Sequence, residues 1–388
     1  MTAAKVRKKS RFKIYALAVL ILLAGLGSAG VYVYNLVYSP YKGYSENTKI
    51  VIIQPGSSVN DIIHALVSSG VLKSGRGFRV ILRLKGGEHS LLAGEYLFDR
   101  PMNALEVYDK FRRGDVYYHR FTVPEGKDVF DISVMAEDAG LFKKTDFLNI
   151  LNDPSQIKSL DPKASSLEGY IFPDTYLVSR IMTPREVISI MTNNFESKYD
   201  EYLAGPIKER NLDLRKIVII ASIIEKETSM PEERSLISSV IYNRLKLGMG
   251  LQTDPTIIYA LKLEGIYDGN LKREHKAKDS PYNTYKYRGL PPGPICNPGI
   301  SSLIAACSPA DTKFLYYVSR NDGSHVFTTN ISDHNQAVYI WQKKYWRDKW
   351  REESLNKTDG VKAAPATPAK DVSAKTGPKL IQGKKKEI

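Results

Sequence analysis

The longest apolar pattern lies at the start of the chain. Residues Ile14 to Tyr41 carry no charge, and the apolar heart runs from Tyr15 to Val37 (YALAVLILLAGLGSAGVYVYNLV). As a helix this segment is long enough to cross a hydrocarbon core of about 30 Å. Beyond a short tether, Ser39 to Gly43, the period changes. Lys49 to Ile53 predicts a strand, Pro55-Gly56 a turn, and Ser58 a helix cap. Val59, Ile62, Ile63, Leu66 and Val67 follow at helical spacing until Gly70 stops the helix. An offset of 70 residues then brings the pattern back without a gap: Ile53 to Leu72 (IQPGSSVNDIIHALVSSGVL) lies over Val123 to Phe142 (VPEGKDVFDISVMAEDAGLF). Gly56, Val59, Asp61, Ile62 and Gly70 match Gly126, Val129, Asp131, Ile132 and Gly140. Two copies fall short of a solenoid and predict a pair of small β-α modules. Between them, Gly94 to Phe98 predicts a strand and Asn103 to Arg112 a short helix.

From about residue 160 the pattern turns helical. Pro184 opens a helix over 183–199, and Leu212 to Thr228 holds a run from Ile217 to Ile224 broken only by Ser222. Pro231 opens the next helix, and Asp254-Pro255 reads as a cap followed by proline. Five prolines between Asp279 and Pro298 predict a stiff loop, and Ile300 to Ala306 a short helix. Phe314 to Ser319 and His325 to Thr329 flank Asn321-Asp322-Gly323, a hairpin signal. The fold class is therefore α+β. An N-terminal transmembrane helix leads to small β-α modules, then to a mixed domain of helices and a hairpin.

Charge sharpens the two ends. The net charge of +14 divides into +6 over residues 1–13, +7 over 342–388 and only +1 in between. A duplex-binding domain needs its cations on one folded face, so nucleic acid is excluded as a partner. Lys5, Arg7, Lys8, Lys9, Arg11 and Lys13 precede the apolar run, and basic flanks stay in the cytoplasm. The remainder of the chain is expected outside it. A cleaved signal peptide ending near Gly27, Ser28 and Ala29 is the rival reading. The apolar text continues past those residues to Val37, which favours a retained single-pass anchor. After Asn356 the sequence loses all periodicity and reads as a disordered basic tail, 356–388. Cys296 and Cys307 flank the helix at 300–306, which would hold them roughly 10 Å or more apart. Two free buried thiols are expected, and no metal site.

Glu225 is the sharpest chemical anomaly. It ends a helix that is apolar on nearly every side, where lost hydration favours the neutral acid. A glutamic acid kept protonated suits general acid catalysis of glycoside cleavage. An ion pair with Lys226 or Lys216, or exposure at the helix end, would equally account for it. Ordinary glycosidases use two carboxylates. Glu227 faces another side of the helix, Asp254 is more economically a cap, and Glu168 stands in the turn-rich stretch LEGYIFPDTY as a pocket candidate. None reads as a nucleophile, which points to one acid/base with a nucleophile supplied by the substrate.

Several blocks then combine: Ala221 to Thr228 (ASIIEKET), Tyr242 to Leu245 (YNRL), Leu251 to Thr256 (LQTDPT), Tyr282 to Tyr285 (YNTY), Gly289 to Gly299 (GLPPGPICNPG), Glu168 to Tyr176, and the hairpin ending HVFTTN. Over roughly residues 15–345 the chain resembles the MltG/YceG-like family. The resemblance implies a membrane-anchored endolytic murein transglycosylase needing no cofactor, with Glu225 at the family's catalytic glutamate. It implies a basic tail (1–13), a transmembrane helix (14–37), a LysM-like module (48–115), a second β-α module (116–160) and a catalytic domain (161–346). Implied partners are peptidoglycan glycan strands and the penicillin-binding synthases, and the implied location is the cytoplasmic (inner) membrane. Glu168, Asn243, Gln252, Tyr282, Asn283, Thr284 and Tyr285 are the candidate substrate-binding residues. Residues 282–285 serve either a sugar strand or the stiffness of their own loop. Gln252 and Asp254 lean towards architecture, and Asn243 and Arg244 towards orienting Glu225 or the glycan. A non-catalytic wall-binding scaffold and a lysozyme-type hydrolase are the competing functions.

Overall fold

The computed structural model describes residues 3–87 and 91–351, with side chains from residue 12 onward. The tail expected over 356–388 lies outside the described residues, as do the side chains of the basic run up to Arg11. The first helix, α1 (Ala3–Tyr38), contains a stretch, Phe12–Tyr38, long and apolar enough to span a membrane. Its side chains are exposed along that stretch until the last turn, where Val37 enters the core of the first module.

That module comprises β1 (Lys49–Ile53), α2 (Val59–Ser68), α3 (Arg76–Lys85), β2 (Gly94–Phe98) and α4 (Ala104–Arg113). The strands pair antiparallel, Lys49 opposite Phe98 and Ile53 opposite Gly94. Phe78, Tyr96, Phe98, Tyr108 and Phe111 are fully buried between sheet and helices. The sequence pattern gave no signal for α3, whose Gly77 lies so close to α1 that a Cβ there would stand 2.0 Å from the Leu36 carbonyl oxygen. Ser58 caps α2 through a reciprocal box with Asp61.

The second copy of the repeat supplies β3 (His119–Val123) and α5 (Val129–Asp138), followed by α6 (Lys144–Leu151). Gly56 and Gly126 both adopt positive φ, +80° and +74°, so the repeated glycine makes the same turn twice. A sheet crosses the expected boundary at residue 160. β3 pairs with β4 (Asp174–Val178), Val123 opposite Asp174, so the sheet straddles that boundary. A two-stranded ribbon needs a partner strand (β1 finds β2 within its own module), and β3 finds one only downstream.

α7 (Pro184–Lys198) runs through a π turn into α8 (Ala204–Arg210). α9 (Leu214–Glu227) is capped by Asp213 and buries Leu214 and every residue from Ile217 to Ile224. α10 (Arg234–Lys246), α11 (Asp254–Leu263) and α12 (Ile300–Cys307) pack around it. Both cysteines are free and buried. The chain divides into two compact units after Leu315, inside the expected catalytic domain. The second unit holds the hairpin β5 (Tyr316–Ser319) and β6 (His325–Thr328), turned at Asn321 and Gly323 with positive φ, then α13 (Ile331–Val338).

A buried amide joins the repeat to the helical part. Asn297, 0 % exposed, accepts at Oδ1 from the N–H groups of Gly169 and Ile171, each at 2.9 Å. Its Nδ2 donates to the Lys127 carbonyl (2.9 Å) and to Glu168 Oε1 (3.0 Å). Glu168 Oε2 in turn accepts from the Val129 N–H at the start of α5 (3.0 Å). Burial, and secondarily the charge of Asp128, push the Glu168 carboxyl up to about 8 from its ordinary 4.5. The folded chain thus binds this proton more tightly than the unfolded one. The resulting stabilisation is complete below about pH 4.5 and is lost as pH rises through about 8. Glu168→Gln, with no proton to lose, should flatten the fall of melting temperature between those limits. Parallel declines in the variant and the parent protein would contradict this.

Candidate active site

The last turn of α9 carries Glu225 out of the apolar run, yet its side chain stays 7 % exposed. Oε2 accepts the N–H of Gly299, the residue that starts α12, at 3.0 Å. Oε1 lies 3.6 Å from Nη2 of Arg234, the first residue of α10. Its Cγ faces Gly126, where a Cβ would stand 3.5 Å away. The carboxylate is therefore met by a backbone N–H and a guanidinium instead of bare hydrocarbon.

A second carboxylate belongs to the same cluster. Glu125, in the turn after β3, lies 3.8 Å from the same Arg234 nitrogen and is 48 % exposed. Burial raises its pKa, the neighbouring Glu225 charge raises it further, and Arg234 opposes both. A Cβ on Gly299 would collide with Glu125 Oε1 at 1.9 Å, so glycine is what lets the backbone approach both acids. Neither Arg234 distance is that of a formed hydrogen bond, and Arg234 Nε is buried with no hydrogen-bond partner among the described residues. One guanidinium is thus shared loosely between two acids, one sheltered and one open to solvent.

The turn bearing Glu125 is held on both sides. Gly126 donates its N–H to the Asn297 carbonyl and Asn297 donates its own to the Lys127 carbonyl, each at 2.9 Å. Lys226 Nζ reaches the Gly126 carbonyl at 3.2 Å. On α9 itself, Ser222 Oγ accepts from the Ile295 N–H at 3.1 Å. Residues from the β-α repeat, the α9 terminus and the proline-rich loop meet here, although they are about a hundred positions apart in sequence.

The other anticipated residues lie elsewhere or deeper. Glu168 is 2 % exposed and sits under the cluster beside Asn297, a buried brace in place of a pocket wall. Asn243 Nδ2 donates to the Thr312 (2.9 Å) and Phe314 (3.0 Å) carbonyls, and Arg244 to those of Leu315 (2.7 Å) and Leu251 (2.6 Å). Both bind backbone carbonyls of the 312–315 and 251 segments. Asn283 and Thr284 are buried, Asn283 donating to the carbonyls of Lys276 and Lys278 and Thr284 accepting from the Thr253 N–H. Tyr282 packs 5.1 Å from Tyr259, and burial pushes its hydroxyl up to about 12. Gln252 is exposed with φ +53°. Asp254 is not the cap of α11; Thr253 is, while the Asp254 carboxylate takes the Tyr285 hydroxyl at 2.7 Å and Lys276 at 2.9 Å.

Sequence reading missed Glu125, Arg234 and Asn297. Gly126 marked its turn through the repeat, but Glu125 aligns with Pro55 and so looked like a loop residue. Arg234 follows two glutamates in an exposed-looking PEER stretch and carried no signal.

The YceG-like family pattern matches residues 51–339. An endolytic murein transglycosylase of Bacillus subtilis (strain 168) is 34 % identical over 328 residues, 80 % of this chain and 89 % of that protein. One from Streptococcus pneumoniae (strain D39) is 29 % identical over 364 residues, 85 % of this chain and 65 % of the longer relative. Among solved structures, a yceG-like protein from Listeria monocytogenes superposes with a TM-score of 0.51 at 31 % identity, covering 75 % of this chain and 99 % of that one. With the match extending from β1 across both units to the end of α13, the chain belongs to the YceG-like family.

Proposed function

We propose that this protein is an endolytic murein transglycosylase that cuts the bond between N-acetylmuramic acid and N-acetylglucosamine inside glycan strands. The observation that carries this reading is the sheltered Glu225 carboxylate at the end of a buried helix, beside an acid that opens to solvent. Glu225, protonated, donates to the oxygen of the glycosidic bond as that bond breaks. The C6 hydroxyl of the muramic residue attacks C1, and its proton passes to the Glu225 carboxylate. A 1,6-anhydro ring forms, a new hydroxyl is left on the departing sugar, and no water is consumed. An intramolecular hydroxyl has a high effective molarity, so no protein nucleophile is required.

Glu125 and Arg234 act through charge in this scheme. Glu125 holds Arg234 off Glu225 and faces the positive charge that develops at C1. The buried Glu168 and Asn297 keep the turn of Glu125 in register with Gly299. The first module, LysM-like by resemblance, holds the strand, while Tyr282 and Tyr285 line its path. α1 anchors the chain in the cytoplasmic membrane with its N-terminus inside, and the penicillin-binding synthases feed it nascent strands.

The shared Arg234 gives the hydrolase reading one specific support, since it draws together two acids and hydrolases use a carboxylate pair flanking the scissile bond. Products of purified peptidoglycan, read by mass spectrometry, separate the two: anhydro-muramic ends for the transglycosylase, reducing ends for the hydrolase. Glu225→Gln should fold normally and lose turnover by about 10²–10⁴, the usual contribution of a general acid/base. Glu227→Gln should be mild. A near-normal Glu225→Gln would remove the assignment.

Glu125→Gln tests the electrostatic role. It keeps the side chain's shape and removes one charge from the pair around Arg234. Turnover should fall about tenfold, equivalent to about 1.4 kcal/mol of barrier, with anhydro ends unchanged. A shift of the products towards reducing ends would identify Glu125 as a base for water instead.

A further inference from the structure

After α13 the second unit continues as helix through a π turn, Tyr339–Lys344, and on to residue 351. Its beginning is fastened to the hairpin. Asn321 Nδ2 donates to the Trp341 carbonyl at 2.7 Å, and Gln342 Nε2 to the Ser319 carbonyl at 3.1 Å. Past Gln342 the helix presents rings and cations together. Trp346 and Trp350 stand 6.4 Å apart, Tyr345 meets Trp346 at 5.4 Å, and the Lys349 ammonium lies 5.1 Å from the Trp346 ring centre. Gln342, Lys343, Trp346, Arg347 and Trp350 line a shallow groove of about 610 Å³. Trp350 is 66 % exposed, a large apolar surface left in water. Residues 339–351 hold five basic side chains, Lys343, Lys344, Arg347, Lys349 and Arg351, against one acid, Asp348.

We propose that residues 339–351 form a second membrane contact, lying along an anionic lipid surface with Trp346 and Trp350 at headgroup depth. Indole rings have an apolar body and one N–H donor, which suits the boundary between acyl chains and water. A basic helix with aromatic side chains gains both from burying the rings and from attraction to anionic headgroups. The spanning helix α1 supplies the surface, since a segment tethered to a membrane meets it at high effective concentration. An interfacial contact alone is weak, and the tether makes this one intramolecular. The inference stands on this segment alone and does not depend on the role of Glu225.

The chain's three tryptophans, Trp341, Trp346 and Trp350, all lie in this segment, so the intrinsic indole fluorescence of the full chain reports on it alone. The full chain is reconstituted into phosphatidylcholine vesicles with or without phosphatidylglycerol, each prepared with and without brominated acyl chains. In the anionic vesicles the emission should shift to the blue and fall by at least half with brominated lipid, and 0.5 M salt should reverse most of the change (the Debye length falls from about 10 Å at 0.1 M towards 3 Å at 1 M). In phosphatidylcholine alone the emission should stay unquenched. Replacing Lys343, Lys344, Arg347 and Lys349 by Glu should abolish quenching while leaving glycan turnover in detergent unchanged. Unquenched emission in both vesicles would overturn the proposal. So would equal quenching in both without salt dependence, or a blue shift produced only by added glycan strands or by an acidic peptide.

Discussion

A buried amide that lost one of its four hydrogen bonds would leave a polar group stranded where water cannot reach it. Asn297 loses none: two N–H groups from the 169–171 segment reach its oxygen, and its nitrogen serves the Lys127 carbonyl and Glu168. Such fully satisfied networks specify one arrangement, because each alternative leaves a donor or acceptor unpaired. Here the arrangement fixes the loop that delivers the Gly299 N–H to Glu225 and the turn that brings Glu125 beside it. Everything chemical about the site depends on these two segments being held against the end of α9.

The cluster built on that frame sets hydrophobic burial against charge. α9 is driven into the core by its apolar run, and Glu225 is carried in with it to the point where the helix ends. An acid so placed needs compensation. One backbone N–H and a share in one guanidinium supply it, while the exposed Glu125 competes for the same cation. At 3.6 and 3.8 Å Arg234 is locked onto neither acid. Glycine at 299 makes this proximity possible, since a Cβ there would stand 1.9 Å from Glu125 Oε1, while the φ of +74° is what calls for glycine at 126.

The membrane-facing end obeys a different physics. From Phe12 to Asn35 the side chains of α1 are exposed, on a stretch long and apolar enough to cross a membrane, and only its last turn is built into the aromatic core of the first module. The apolar helix and the first module are therefore joined through one core: Val37 packs in it and Gly77 abuts the Leu36 carbonyl. At the opposite end of the described chain, rings and cations accumulate on one helix.

Local patterns were legible in the sequence because each rests on a few neighbouring residues. The long apolar N-terminal helix, the repeated strand–turn–helix, the Thr183–Pro184 helix start, the Asn321-Asp322-Gly323 hairpin and the apolar α9 with Glu225 at its end all followed from spacing and turn chemistry. Pairing was not legible. β3 looked like half of a self-sufficient module, but its hydrogen bonds go to β4, fifty positions on, since sheet partners are chosen by tertiary packing. Thr253 stands at the N-cap position of α11 without a side-chain cap bond, and the Asp254 carboxylate goes to Lys276 and Tyr285, distant in sequence. Tertiary packing likewise gives Glu168 to Asn297 and Asn243 and Arg244 to backbone carbonyls, and it brings Glu125 and Arg234 beside Glu225. The sequence by itself determined which acid ends a buried helix; which charges face that acid was decided only when the fold brought a turn, a helix start and a proline-rich loop together around it.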